Sequence, residues 1–224
     1  MTRDGPVFVM MGGSRWTSAE AFFEAVPSLA ALLWETDDGA RRAVGDRRTE
    51  KSLKPPMASF SQVNAEVAVN LRKYVIATVS VYSPDVIVDA YSGAGETAIP
   101  FAEAGARVTA IELDADSSRW CALHLPEGSV ALRARVEEAL PGALPADAVV
   151  LNPPRAGVDT RVTETLQNAA VKPRVIAYVS CNPATLARDI SRMPAYRIAS
   201  LVPFDMFPQT AHVETVCELV PEGA

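Results

Sequence analysis

Cys181 lies in Tyr178-Val-Ser-Cys-Asn-Pro183, directly after the apolar run Arg174-Val-Ile-Ala-Tyr-Val-Ser180. The run is rich in β-branched and aromatic residues and reads as a buried strand, while Asn182 and Pro183 supply an N-cap and a first-turn residue for the next helix. A thiol there sits at the carboxyl end of a strand and beside a helix N-terminus. Open α/β sheets bind ligands at that edge, and a helix dipole favours a thiolate. Cys181 is therefore a candidate nucleophile, although a buried structural cysteine fits the same segment. A second constellation is Asp89-Ala-Tyr91-Ser-Gly93-Ala-Gly95, a glycine-rich turn whose bare backbone N–H groups can meet a close-packed ligand. Glu112 ends the following strand, where a carboxylate can accept two hydrogen bonds from ribose hydroxyls. A third is Asn152-Pro-Pro-Arg155-Ala-Gly157. Its two prolines stiffen a turn so that Asn152 faces the ligand crevice and can touch a substrate base, although a structural turn also explains them.

Elements to position these residues follow in regular alternation from Met57. A long helix is expected over Ser59–Val81, with Val63, Val67, Leu71, Val75 and Val79 forming one apolar stripe. Strands are expected at 86–90, 107–111, 130–134, 148–151 and 175–179, with helices near 96–104, 115–123, 159–170 and 183–192. Two last strands, Tyr196–Pro203 and His212–Val220, come without a helix between them and should pair antiparallel at one edge. Alternating strand and helix implies a mostly parallel α/β sheet with helices on both faces.

Residues 1–56 read as a separate small piece. Thr17 and Glu20 form a potential capping box ahead of Ala21–Val26, and Pro27 should separate this helix from a second apolar helix ending near Trp34. Pro55-Pro56 marks the boundary. The chain has 224 residues, 49% of them hydrophobic and 21% charged, enough for one large core and a small appendage. No apolar run approaches a membrane span, and Val7–Met11 lacks the length and flanks of a signal peptide, so cytoplasmic residence is expected. Three widely spaced cysteines argue against a disulfide framework. Cys121 with His124, and His212 with Cys217, could suggest metal ligands, but without a C-x-x-C pair no metal is expected. A net charge of −6 sits awkwardly with nucleic-acid binding. One basic stretch, Arg41, Arg42, Arg47, Arg48, Lys51 and Lys54, answers it in part, as a phosphate-binding patch or as a solvated linker.

The pattern D-x-x-x-G-x-G with an acidic residue after the next strand resembles the S-adenosylmethionine site of class I methyltransferases. The turn lacks the third glycine of the pyrophosphate fingerprint, which argues against a dinucleotide. Together with Phe60-Ser-Gln62-Val-Asn64, Asn152-Pro-Pro-Arg-x-Gly157, Ser180-Cys-Asn-Pro-Ala-Thr-Leu-Ala-Arg-Asp189 and Asp205-Met-Phe-Pro-Gln-Thr-x-His-Val-Glu214, it resembles the RNA (uracil-5-)methyltransferase family over residues 57–224. The resemblance implies a Rossmann-like seven-stranded sheet. By it, Gln62, Asp89, Tyr91, Gly93, Gly95 and Glu112 hold S-adenosylmethionine and Asn152 borders the cofactor and base pockets. Arg155 contacts substrate, Cys181 is the nucleophile and Glu214 the base.

The chain departs from that family in three places. Asn152 stands where the family usually has aspartate, which removes a carboxylate from the pocket. The family's amino-terminal RNA-binding barrel and the clustered cysteines of some members have no counterpart. Capture of a tRNA or rRNA is then expected to rest on the amino-terminal piece or on a partner. Two other readings stay open. An exocyclic-amino methyltransferase also uses Asn-Pro-Pro, but with an aromatic residue where Arg155 stands. A catalytically silent RNA-binding protein of the same fold would fit Asn152 and the acidic balance.

Overall fold

The computed structural model describes residues 7–11, 16–29, 31–35, 41–45, 64–206, 208–210 and 213–223. The chain divides into two compact units, Met1–Lys54 and Pro55–Ala224. In the first, β1 (Val7–Met11), β2 (Ala31–Glu35) and β3 (Arg41–Gly45) form one sheet, β1 and β2 parallel, β2 and β3 antiparallel. Helix α1 (Ala19–Ala25) connects β1 to β2 and buries Ala19 and Phe23 with Leu29 and Leu32. The second helix expected to end near Trp34 is instead β2. A short apolar run suits either state, and here hydrogen-bonding partners on both sides settle it as a strand. The expected capping box does not form either. The N-cap of α1 is Ser18, which makes no side-chain cap bond and accepts from Trp16 Nε1 at 3.1 Å. Arg41 and Arg42 fall in β3, while Arg47, Arg48, Lys51 and Lys54 lie outside the described residues.

The second unit opens with α2 (Ala65–Ser80), capped by the Asn64 side chain, which accepts from Val67 N–H at 3.3 Å. Its buried stripe is Ala68, Leu71, Val75 and Val79. The helix thus begins later than Ser59, and residues 59–63, with Gln62, lie outside the described residues. Seven strands follow: β4 (Val86–Ala90), β5 (Arg107–Glu112), β6 (Val130–Arg133), β7 (Ala148–Leu151), β8 (Val175–Ser180), β9 (Tyr196–Phe204) and β10 (Glu214–Pro221). They pair in the order β6-β5-β4-β7-β8-β10-β9. The pairs among β4 to β8 are parallel, and β10 is antiparallel to both β8 and β9.

The central strands are apolar on both faces because each face carries helices. Ile87, Val108, Ala110, Val150, Ala177 and Val179 share a core with α2 and α3 (Ala98–Glu103). The alternate residues Val88, Ile111, Val149, Leu151, Ile176 and Tyr178 pack on α5 (Val136–Ala143), α6 (Thr160–Asn168) and α7 (Pro183–Ser191). Helix α4 (Ala115–His124) completes the set. Sequence reading assigned no helix to α5, which contains Pro141-Gly142. The proline falls near the end of this short helix, and burial of Val136 and Leu140 holds it in place.

The strand order places the site. β4 pairs with β5 on one side and β7 on the other, so the chain reverses its winding direction between them. At such a point the carboxyl ends of the strands open into a crevice. Glu112 ends β5, Asp89 is the last but one residue of β4, Asn152 and Cys181 directly follow β7 and β8, and β10 starts at the same edge with Glu214.

Candidate active site

Asp89 is fully buried at the end of β4 and accepts from Thr97 Oγ1 at 2.6 Å. Burial pushes its carboxyl up to about 7, the bonds from Thr97 and the Ala98 backbone oppose this, and the nearby Glu112 carboxylate adds to it. Its Oδ1 is buried without a partner among the described residues. Tyr91 follows at φ 61°, a left-handed conformation that costs an aromatic residue energy and marks the turn as built for something other than stability. Gly93 also has positive φ, with open space where a side chain would stand. Its N–H donates to Glu112 Oε2 at 2.9 Å, and Asp114 N–H donates to Oε1 at 2.7 Å. Both carboxylate oxygens are thereby oriented, each with a lone pair to spare. At Gly95 an added Cβ would lie 2.7 Å from Cys121 Sγ, so glycine there lets α4 approach the turn.

These features fit S-adenosylmethionine. The orphaned Asp89 oxygen calls for a donor, Glu112 offers acceptors to a diol, and the space over Gly93 admits a ligand against bare backbone. Removing the diol contacts by Glu112→Ala should weaken binding by about 1.5–3 kcal/mol, as for hydrogen bonds to a charged group, in calorimetric titration.

On the other side of the crevice, the antiparallel register pairs Thr215 with Ser180. Continued by one residue, it sets Glu214 across from Cys181. Glu214 is 3% exposed, and burial raises its carboxyl above the usual range while the Arg155 guanidinium opposes the rise. Cys181 is half-buried. Burial raises its thiol, and the Glu214 charge raises it further. A hydrogen bond and the positive charge of Arg155 pull the other way. The helix N-terminus was expected to make this a thiolate. Desolvation and the neighbouring Glu214 carboxylate work against that preference. Asn182 caps α7 as expected, its Oδ1 accepting from Ala184 N–H at 3.0 Å. Asn152 is exposed and joins the two halves, its N–H donating to Ala90 carbonyl oxygen at 3.2 Å.

A further group escaped sequence reading. Asp189 on α7 is fully buried and ties the Asn152–Val158 loop to the helix. Its Oδ2 accepts from Val158 N–H at 3.0 Å and Tyr178 O–H at 2.8 Å. Its Oδ1 accepts from Arg188 Nε at 2.9 Å and Arg192 Nη1 at 3.3 Å. Arg188 Nη2 also donates to the Ala156 carbonyl at 2.7 Å. The signal was present in the Ala-Arg-Asp end of the Cys181 motif, but only the fold shows what it holds. Of the residues in the suggested metal pairs, Cys121 is in the core and His124 stacks on Trp120 with centroids 4.2 Å apart. Cys217 is also buried, and His212 lies outside the described residues.

Residues 135–220 match the family model of tRNA (Uracil-5-)-methyltransferase. The chain is 32% identical over 229 residues to an uncharacterized RNA methyltransferase of Streptococcus pyogenes serotype M18, covering 91% of this chain and 49% of that protein. It is 38% identical over 172 residues to one of Prochlorococcus marinus, covering 72% and 40%. The chain thus spans less than half the length of either relative. Among solved structures, Pyrococcus abyssi tRNA (uracil-54, C5)-methyltransferase in complex with S-adenosyl-L-homocysteine superposes with a TM-score of 0.73 at 28% identity, covering 94% of this chain and 55% of that one. Thermus thermophilus TrmN shares the fold at 19% identity and a TM-score of 0.55, covering 96% and 71%. With the strand order, the glycine turn and the Cys181 segment, these matches make the second unit a class I methyltransferase fold whose residues 135–220 are similar to tRNA (Uracil-5-)-methyltransferases.

Proposed function

We propose that the protein methylates carbon 5 of an unpaired or flipped-out uridine in tRNA or rRNA through a covalent adduct with Cys181. The observation that carries this reading is the register bringing the buried Glu214 across from Cys181 at the mouth of the cofactor crevice. S-adenosylmethionine, bound along the Asp89–Gly95 turn and Glu112, supplies an electrophilic methyl group. Carbon 5 of uracil is a poor nucleophile. Cys181 Sγ, losing its proton, bonds to carbon 6, and the double-bond electron pair moves toward carbon 5 and O4 as an enolate. Carbon 5 takes the methyl group. Glu214 then removes the carbon 5 proton, the electron pair re-forms the double bond, and the cysteine sulfur departs. A carboxylate raised by burial is a better base than an exposed one, which suits Glu214 to this step. Access to carbon 6 requires the base to leave its stack, which favours loops of folded RNA. Asn152, exposed at the crevice, is placed to meet the uracil edge.

Arg155 disfavours the exocyclic-amino reading, which requires an aromatic side chain there and leaves Cys181 and Glu214 without a task. Residues 1–56 are proposed to contribute to RNA capture, alone or with a protein partner. The experiment is nucleoside mass spectrometry of tRNA and rRNA incubated with the protein and S-adenosylmethionine. The proposal requires 5-methyluridine, and N-methylated bases or no methylation would overturn it.

Asp89 adds a pH dependence. Its folded value of about 7 lies above the ordinary 3.8, so its contribution to stability is present below pH 3.8 and is lost as pH rises toward 7. A cationic methyl donor favours the ionised carboxylate. Its affinity should therefore increase between pH 6 and 8 and level off above, and Asp89→Asn should flatten the curve in a calorimetric series.

A further inference from the structure

Arg155 sits on a loop held with unusual firmness. Gly157, at φ 80°, brings the backbone so close to α7 that an added Cβ would stand 2.3 Å from Asp189 Oδ2 and 2.6 Å from Arg188 Nη2. Asp189 and Arg188 grip the loop at Val158 and Ala156, on the far side of Arg155 from the strand. Thr185 Oγ1 adds a contact to the Arg155 carbonyl itself at 3.4 Å. Thr185 belongs to the first turn of α7, the helix that Cys181 precedes, so this contact holds the Arg155 loop at the Cys181 end of that helix, where the guanidinium charge opposes the rise of both the Cys181 thiol and the Glu214 carboxyl. Among the described residues, the charged groups facing the thiol are Glu214 from β10 and Arg155 from the β7–α6 loop.

One cation therefore stands by two groups that cannot easily both be negative. A thiolate next to a buried carboxylate is opposed by like-charge repulsion in a poorly solvated place. We propose that Arg155 is the shared counter-ion of Cys181 and Glu214, and that the Asp189–Arg188–Gly157 latch is the device that keeps it there. Arg155 is in this sense a positioning residue: it lets the nucleophile ionise while the base remains ionised, whatever contact it also makes with RNA. The inference deepens the uridine-methylation reading and takes its significance from it.

The test is the pH profile of Cys181 alkylation by iodoacetamide on the full chain, with neither RNA nor methyl donor, read by peptide mass spectrometry. Cys121 and Cys217 are in the core with thiols pushed up to about 12 and 11, so modification maps to Cys181, and Cys181→Ser serves as the blank. Arg155→Ala should move the midpoint up by about one pH unit or more, the low end of what an adjacent opposite charge produces. Arg155→Lys should restore part of it. Glu214→Gln should move the midpoint in the opposite direction, which loss of packing would not do. Arg188→Gln, at a partly exposed residue, should shift it upward by less than Arg155→Ala, with its thermal unfolding midpoint showing that the chain is folded. Equal midpoints in wild type and Arg155→Ala, or an upward shift in Glu214→Gln, would overturn the counter-ion. A wild-type midpoint in both Arg188→Gln and Asp189→Asn would overturn the latch. A chain that methylates no uridine yet shows the opposed shifts leaves this inference standing, and one that methylates with unchanged titrations removes it alone.

Discussion

Cys181→Ala and Glu214→Gln are expected to abolish turnover in distinguishable ways. With Cys181 replaced by alanine no bond to carbon 6 forms, so methyl transfer and any protein–RNA adduct are lost together. With Glu214→Gln, addition and methylation proceed but the carbon 5 proton stays. The cysteine cannot leave, and a protein–RNA band should survive denaturing electrophoresis. Turnover should fall by about 10²- to 10⁴-fold, the usual contribution of a positioned base. Radiolabelled methyl groups should appear in that band, since transfer precedes the blocked step. If Cys181 were only a core thiol and Glu214 only a buried strand residue, neither variant would form an adduct and both would keep near-normal activity. Methylation persisting in Cys181→Ala on a genuine substrate would end the covalent proposal.

The second large effect concerns stability. Asp189→Ala should destabilise the second unit by about 3 kcal/mol, because it strands the buried Tyr178 hydroxyl and Val158 N–H and leaves Arg188 and Arg192 uncompensated. Gly157→Ala should destabilise by a different route, through a left-handed backbone and a Cβ forced into the Asp189 carboxylate. Arg161→Ala provides the contrast. It also removes ion pairs, with Asp159 and Glu137, but Arg161 is exposed, and its loss should leave the urea midpoint unchanged. A midpoint for Asp189→Ala equal to that of Arg161→Ala would show that the latch contributes nothing to the fold.

The second unit was largely legible because its elements carry their own signals. β8 is a continuous buried run, α2 shows a helical apolar stripe, and Asn182-Pro183 announces α7. Parallel strands covered on both faces must be apolar throughout, so the pattern survives without knowledge of the neighbours. The first unit was less legible. Leu32-Leu33-Trp34 is too short to choose between helix and strand by its own period, and only pairing with β1 and β3 makes it a strand. Helix α5 failed for the opposite reason: local chemistry at Pro141-Gly142 argues against a helix that packing of Val136 and Leu140 imposes.

By itself the sequence determined the residue types of the site: a cysteine at a strand end, glycines in the turn after β4, and an acid after β5. These are local, because a turn or a strand end needs particular residues whatever surrounds it. The family motif could assign Glu214 a role, but the structural basis for its approach to Cys181 is the antiparallel register of β10 on β8. The same holds for Asp189, whose identity is legible and whose partners on the Arg155 loop are not. Only the tertiary structure decided the surroundings of the thiol. A helix N-terminus can be read from a cap and a proline, but the burial and the Glu214 charge that raise the thiol, and the Arg155 charge that opposes them, come from elements distant in the chain.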